Sequence, residues 1–240
     1  MRTSPGGVDL RPYLGAFGML AKNPTLVIVP FVVLVGGLML QLVLGQSAYG
    51  PVGSITASLG GLVARIALLW GLGVACVHAD MAWRRGRAPF DAAWSEAQRR
   101  SRDLLGAAVG VTFVLSLASY AGVILGALGL IVSAAAVFFM IWAIPAAAIG
   151  GIPGMAALNA SVERARANPV GTAVLTVVCL GVAFLAMLAG QQLAMLALPL
   201  IAAAPVAADL IIAFVEAIAM AYAALVMSKT YTDAAFGRRW

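Results

Sequence analysis

The sequence predicts an all-α, polytopic membrane protein with six transmembrane helices. Three observations carry that reading. The 240-residue chain is 63% hydrophobic and only 10% charged, with a mean hydropathy of +1.02. A soluble domain of this length needs far more polar surface. Its apolar residues collect into six segments, each close to the roughly 20 residues that cross a hydrocarbon core about 30 Å thick. Its Lys and Arg residues occupy alternate connectors, the pattern of short loops kept on one side of a membrane. The net charge of +6 sits in short runs between apolar segments. That suits a membrane face and does not suit nucleic acid.

The spans are expected over residues 26–45, 55–79, 104–120, 126–149, 170–189 and 206–227. The third and fourth share one apolar run long enough for two crossings, and Gly122, Gly126 and Gly129 mark the turn between them. The stretch LAMLALPLIAAA, 193–204, is too short to cross. Pro199 and Pro205 break its continuity, so an interfacial or re-entrant segment is expected there. The opening MRTSPGGVDLRPY lacks the apolar core of a cleavable signal, which leaves the first span to direct insertion.

Orientation follows from the cations. Arg11 and Lys22 precede the first span. Arg84, Arg85, Arg87, Arg99, Arg100 and Arg102 lie between the second and third. Arg164 and Arg166 lie between the fourth and fifth, and Lys229, Arg238 and Arg239 follow the sixth. The opposite connectors, QSAYGPVGS, SYAGVILGAL and GQQLAMLALPLIAAAP, hold no Lys or Arg. Both termini are therefore expected in the cytoplasm.

An internal likeness organises the chain. AKNPTLVIVP at 21–30 and ARANPVGTAV at 165–174 each place a basic residue, then Asn-Pro, then an apolar run. At a shift of 145, Leu10, Tyr13, Phe17, Leu20, Asn23 and Pro24 fall on Met155, Leu158, Val162, Ala165, Asn168 and Pro169. At a shift of 80, Leu10, Tyr13, Leu14, Phe17 and Asn23 fall on Phe90, Ala93, Trp94, Ala97 and Asp103. Each copy carries apolar residues at helical spacing. The prediction is one integral membrane domain over 1–240 with repeats at about 8–88, 89–153 and 154–240, each an amphipathic surface helix followed by a hairpin. Pro24 and Pro169 suit the first turn of a membrane helix, Asn23 and Asn168 suit its cap, and Asp103 is expected to cap without a proline. Leu, Phe and Trp of the surface helices would sit at the acyl boundary. Arg84, Arg85, Arg87, Arg99, Arg100 and Arg102 are candidates to meet lipid headgroups, each adding about 1 kcal/mol of attraction to an anionic surface. Topology control alone is the plainer reading of these charges.

Arg65 is the one cation inside a span, where charge is costly. Glu216 is its natural partner, since both lie ten residues into their spans from the same side, about 15 Å deep. Asp209, two turns earlier, is expected on the same face. The pair either locks two helices together or lines a ligand site or transport pathway. His78 is the single histidine. HAD at 78–80 is half a metal site without a second half, and an interfacial hydrogen bond explains it better. GAAVG at 106–110 and GVILG at 122–126 fit close helix packing. Cys76 and Cys179 form neither a CxxC nor a Cys/His cluster, so no disulfide framework, metal or cofactor is expected. HExxH, a P-loop, paired membrane aspartates and a Ser/His dyad are all missing, and the acids Asp80, Asp91, Glu96, Asp103 and Glu163 are scattered among arginines. Enzymatic activity is not expected.

The chain resembles the six-span membrane domain attached to some bacterial glycerophosphodiester phosphodiesterases and its stand-alone relatives. The residues that carry the likeness are Asn23, Pro24 and Pro30, RRGRAPFDAAW at 84–94, ANPVG at 167–171 and YTDAAFGRR at 231–239. The resemblance implies a helical membrane module of the bacterial cytoplasmic membrane. It implies no active site, because hydrolysis in the enzyme-linked members belongs to a separate soluble barrel. The expected role is a non-enzymatic module that meets membrane lipids, anionic ones included, or a membrane-protein partner in a transport or envelope system. The alternative is a small permease with a polar pathway at Arg65 and Glu216.

Overall fold

A computed structural model describes residues 9–45, 50–201 and 205–235. Ten α-helices and one 3-10 turn run through them, with no strand among the described residues. In chain order they are α1 (Arg11–Lys22), the turn Pro24–Val27, α2 (Ile28–Gly45), α3 (Gly50–Arg85), α4 (Phe90–Arg99), α5 (Ser101–Leu125), α6 (Ala127–Met140), α7 (Ala143–Ala148), α8 (Ala156–Ala167), α9 (Pro169–Ile201) and α10 (Pro205–Ala235).

Six stretches are long and apolar enough to cross a bilayer: Pro24–Leu44, Ser58–Arg85, Ser101–Gly122, Ala127–Ala148, Pro169–Ala197 and Val206–Ala234. The chain is a multi-pass membrane protein. Each stretch overlaps one span expected from the sequence. One expectation is corrected. The helix α9 runs unbroken from Pro169 to Ile201, and the stretch apolar enough to cross reaches Ala197, so residues 193–201 continue the fifth helix and form no separate segment. The Leu, Ala and Met content of that stretch favours helix, and membrane helices tolerate an occasional proline. Residues 202–204 fall outside the described part, as do Arg238 and Arg239.

Three hairpins form, with α2 on α3, α5 on α6, and α9 on α10. Between them α3 and α10 pack together and make the spine. Small residues at four-residue spacing let their backbones approach: Ala75 and Ala79 on α3, and Ala213, Ala217 and Ala221 on α10, are all buried. Ser228 Oγ donates to the Cys76 carbonyl at 2.9 Å, and Trp83 Nε1 donates to the Leu225 carbonyl at 2.9 Å. In hydrocarbon such bonds add to van der Waals packing, which alone gives little preference over lipid contact. The turn of the α5–α6 hairpin is where the glycines placed it. Gly126 has φ +57°, and a Cβ on Gly129 would collide with the Gly122 backbone.

The fourth span breaks at Ile141–Trp142. Pro145 cannot donate to the Ile141 carbonyl, and its ring crowds that carbonyl. The Ser161 hydroxyl on α8 binds two other backbone groups at the break: it accepts from Trp142 N at 3.1 Å and donates to the Phe139 carbonyl at 2.6 Å. Trp142 Nε1 donates to Thr172 Oγ1 at 3.0 Å and so reaches the start of α9.

The short helices α1, α4 and α8 precede α2, α5 and α9, and their contacts with the basic connectors put them at one end of the bundle. Both ends of the described chain lie there too, since Tyr222 on α10 donates to the Tyr13 carbonyl on α1. That end holds most of the buried core, with 71–79, 140–148 and 221–228 almost continuously buried. The far halves of the spans expose Val63, Leu117, Leu130, Phe184 and Leu196. An apolar surface of that kind belongs in lipid.

Two details of the short helices depart from the sequence reading. The middle joint is Arg100, where φ −98° and ψ 3° separate α4 from α5. Asp103 sits inside the first turn of α5 and does not cap it; the N-cap side chain makes no hydrogen bond. Phe90 and Trp94 also turn inward. They stack on each other at 6.1 Å, and Trp94 meets Trp70 of α3 edge-on at 6.0 Å. At α1 the large apolar residues left exposed are Leu14 and Phe17 on the helix and Leu10 just before it.

Candidate functional site

The site grows from Arg65. Its position on α3 faces α2 and α10 across a cavity of about 380 Å³, lined also by Gln41 of α2 and by Asp209 and Glu216 of α10. The three charged residues singled out in the sequence therefore meet. Their pairing does not follow expectation. Among the described residues no ion pair within 4.0 Å joins Arg65 to Glu216 or Asp209. Arg65 is exposed in the cavity, while Asp209 and Glu216 are half-buried. Separation has a physical reason. A guanidinium at membrane depth costs about 3 kcal/mol or more unless it is hydrated or paired, and a cavity of this size leaves room for water beside Arg65. Gln41 was not singled out in the sequence, although it is the only polar side chain in the apolar run of the first span.

Two further cavities adjoin the first. One, of about 550 Å³, is almost wholly apolar and is lined by α2, α3, α5, α6, α7, α9 and α10. It shares Leu34, Leu68 and Glu216 with the polar cavity. The other, of about 290 Å³, holds Arg65, Thr112, Ser119 and Ser133. Thr112 Oγ1 is buried there without a hydrogen-bond partner. Arg65 thus borders two cavities, Glu216 borders two, and Leu68 borders all three.

The apolar cavity exists because of the way α9 packs. It lies along α10 and touches α6 only sparsely. Leu180 and Phe184 line the cavity, yet they are 49% and 57% exposed. That side of the bundle is therefore open between α6 and α9.

The basic connectors divide into structural and free arginines. Arg100 is structural. Its Nη1 donates to the carbonyls of Ala148 and Ile149 at 2.8 and 3.1 Å, closing the end of α7, while Nε and Nη2 bind Glu96. Arg84 pairs with Asp80 one turn earlier at 2.8 Å, and Arg99 reaches Glu96 at 3.6 Å. Arg85, Arg87 and Arg102 are exposed and form no ion pair among the described residues. Arg164 turns inward over Tyr231 at 4.0 Å and Trp142 at 5.5 Å. Burial pushes its pKa down, and the Tyr231 phenol opposes that shift. A cation held on aromatic faces replaces the missing carboxylate.

The joints hold the connector end together. Asn23 Oδ1 accepts from Ala88 N at 3.0 Å, and Nδ2 donates to the carbonyls of Gly86 and Met19. His78 Nε2 lies 3.1 Å from the Ala88 carbonyl. A carbonyl only accepts, so that nitrogen carries the proton. No group of three or more His, Cys, Asp or Glu side chains that could hold a metal occurs among the described residues. No known protein family, curated protein or solved structure matches the chain.

Proposed function

We propose that this protein takes a lipid-like amphiphile into the membrane-embedded bundle and serves as a lipid-handling component of a transport or envelope system. One observation carries the reading: an apolar cavity that opens sideways between α6 and α9 meets a polar cavity lined by Arg65, Asp209 and Glu216. Binding sites for small molecules are mainly apolar with a few convergent polar groups. A side opening lets a lipid enter without crossing water. The absence of a direct Arg65–Glu216 pair weighs against a purely structural lock and favours a ligand site.

The protein would sit in a bacterial cytoplasmic membrane with both termini cytoplasmic. The basic connectors at the end where both ends of the described chain lie support that orientation. The exposed Arg85, Arg87 and Arg102 would face anionic headgroups there. The resemblance to the membrane domain of glycerophosphodiester phosphodiesterases is part of the same proposal. The role proposed is non-enzymatic.

A threefold repeat is also proposed, with its middle register revised. Counted back from the joints Asn23, Arg100 and Asn168, the positions eleven, seven and three residues earlier are Pro12, Ala16 and Leu20, then Pro89, Ala93 and Ala97, then Ala157, Ser161 and Ala165. Seven of these nine are buried; Pro89 is exposed and Leu20 half-buried. A shift of 77 relates the first two copies better than one of 80.

A second reading is a permease in which the polar cavity is part of a pathway. The exposure of Arg65 favours it. One experiment addresses the main reading. Protein purified in mild detergent should retain lipid measurable by mass spectrometry. Ala219→Phe, which fills the apolar cavity from α10, should release most of it while leaving Arg65 in place. Equal lipid in both proteins overturns the proposal.

A further inference from the structure

Resting on the amphiphile-binding reading, we infer that the headgroup taken by this site is zwitterionic, carrying a phosphate and an ammonium as in a phosphatidylethanolamine. The argument starts from charge. One guanidinium and two carboxylates line a single cavity of about 380 Å³, and the guanidinium is not closed on either acid within 4.0 Å. A purely anionic head would satisfy Arg65 and leave Asp209 and Glu216 facing it with like charge. A purely cationic head would satisfy the acids and repel Arg65. A head with both charges lets each side of the cavity find an opposite partner. Gln41, with a donor and an acceptor, can serve either group.

The second strand of the argument is polarity along the bundle. Asp209 lies near the start of α10, and Glu216 lies two turns deeper. The apolar cavity continues from Glu216 to Met227, a length of about 16 Å at 1.5 Å per residue. A head at Arg65, Asp209 and Glu216 therefore sends its chain toward the connector end. That is the orientation of a lipid belonging to the leaflet opposite the basic connectors. The phosphate would meet Arg65, the ammonium would meet Asp209 and Glu216, and one acyl chain would enter between α6 and α9.

The test is competition of defined lipids on the intact protein. Native mass spectrometry would be run on delipidated protein offered equal amounts of palmitoyl-oleoyl phosphatidylethanolamine and phosphatidylglycerol. Wild type is expected to favour phosphatidylethanolamine by about tenfold, the scale of one hydrogen bond to a charged group. The double variant Asp209→Asn, Glu216→Gln is expected to reverse the order in favour of phosphatidylglycerol. Equal binding of both lipids by wild type, or preference for phosphatidylglycerol, overturns the headgroup assignment and leaves cavity binding intact. Failure to bind either lipid overturns the amphiphile reading itself. The wild-type comparison decides the matter even if the double variant does not fold.

Discussion

Asn23 and Asn168 adopt the same backbone conformation, φ −131° and ψ 66° against φ −138° and ψ 73°, yet their side chains serve different partners. Asn168 Oδ1 accepts from Gly171 N and caps α9 locally. Asn23 reaches across 65 residues to bind Ala88 N, and it also holds the Gly86 carbonyl. One corner is sealed by its own helix, and the other pins the α3–α4 connector.

That difference sets the expected cost of removing each amide. Asn168→Ala loses a cap and should cost about 1 kcal/mol. Asn23→Ala leaves the buried Ala88 N–H without a partner and should cost about 2–3 kcal/mol. Thermal unfolding in detergent should show the larger loss for Asn23→Ala. An equal loss would mean that the connector contact contributes little.

Arg100 should stand apart from its neighbours. Arg100→Gln removes charge-assisted bonds to Ala148, Ile149 and Glu96, and a loss of about 1.5–3 kcal/mol is expected. Arg102→Gln, on the exposed side of α5, should change stability by no more than about 0.5 kcal/mol. Unfolding midpoints of the two variants measured side by side check this ordering.

The hairpin between α5 and α6 depends on backbone contact. Gly129→Ala puts a methyl into the Gly122 backbone, whereas Gly36→Ala on α2 meets open space. Forcing the helices apart should cost more than about 1 kcal/mol. Gly36→Ala should be neutral or slightly stabilising through helix propensity. The yield of monodisperse protein on size-exclusion chromatography is the readout.

Arg65 and Glu216 should behave almost independently. A tight buried pair would lose about 3–5 kcal/mol when either partner alone is removed and would regain part of it in the double variant. Across an open cavity, a coupling no larger than about 1 kcal/mol is expected between Arg65→Gln and Glu216→Gln. A double-mutant cycle on unfolding free energy measures it.

The six spans were legible in the sequence because crossing a bilayer imposes length and composition directly. The turn at Gly122–Gly129 was legible because close approach demands glycine. The meeting of Arg65 and Glu216 followed from equal depth in adjacent hairpins, and that of Asp209 from its place two turns from Glu216 on the same helix face. Depth says nothing about lateral separation, so the lack of an ion pair between Arg65 and Glu216 was not legible. Among Arg99, Arg100 and Arg102, sequence alone could not tell which one turns toward a helix end. The middle joint was misplaced because no Asn-Pro marks it, and an acid at Asp103 imitated a cap. The continuity of α9 through residues 193–201 is hidden in the sequence because Pro199 reads as a break, whereas a strongly helical composition carries the helix past it.

The central claim is that a lipid chain occupies the cavity between α6, α9 and α10. Its most direct measurement uses a phospholipid with a photoreactive diazirine in the acyl chain, reconstituted with the protein in nanodiscs. Saturable labelling of the cavity-lining Met220 and Ala223, competed by unlabelled lipid, is expected. Labelling confined to outward-facing residues such as Phe113, Leu130 and Leu196, with Met220 and Ala223 untouched, would contradict it.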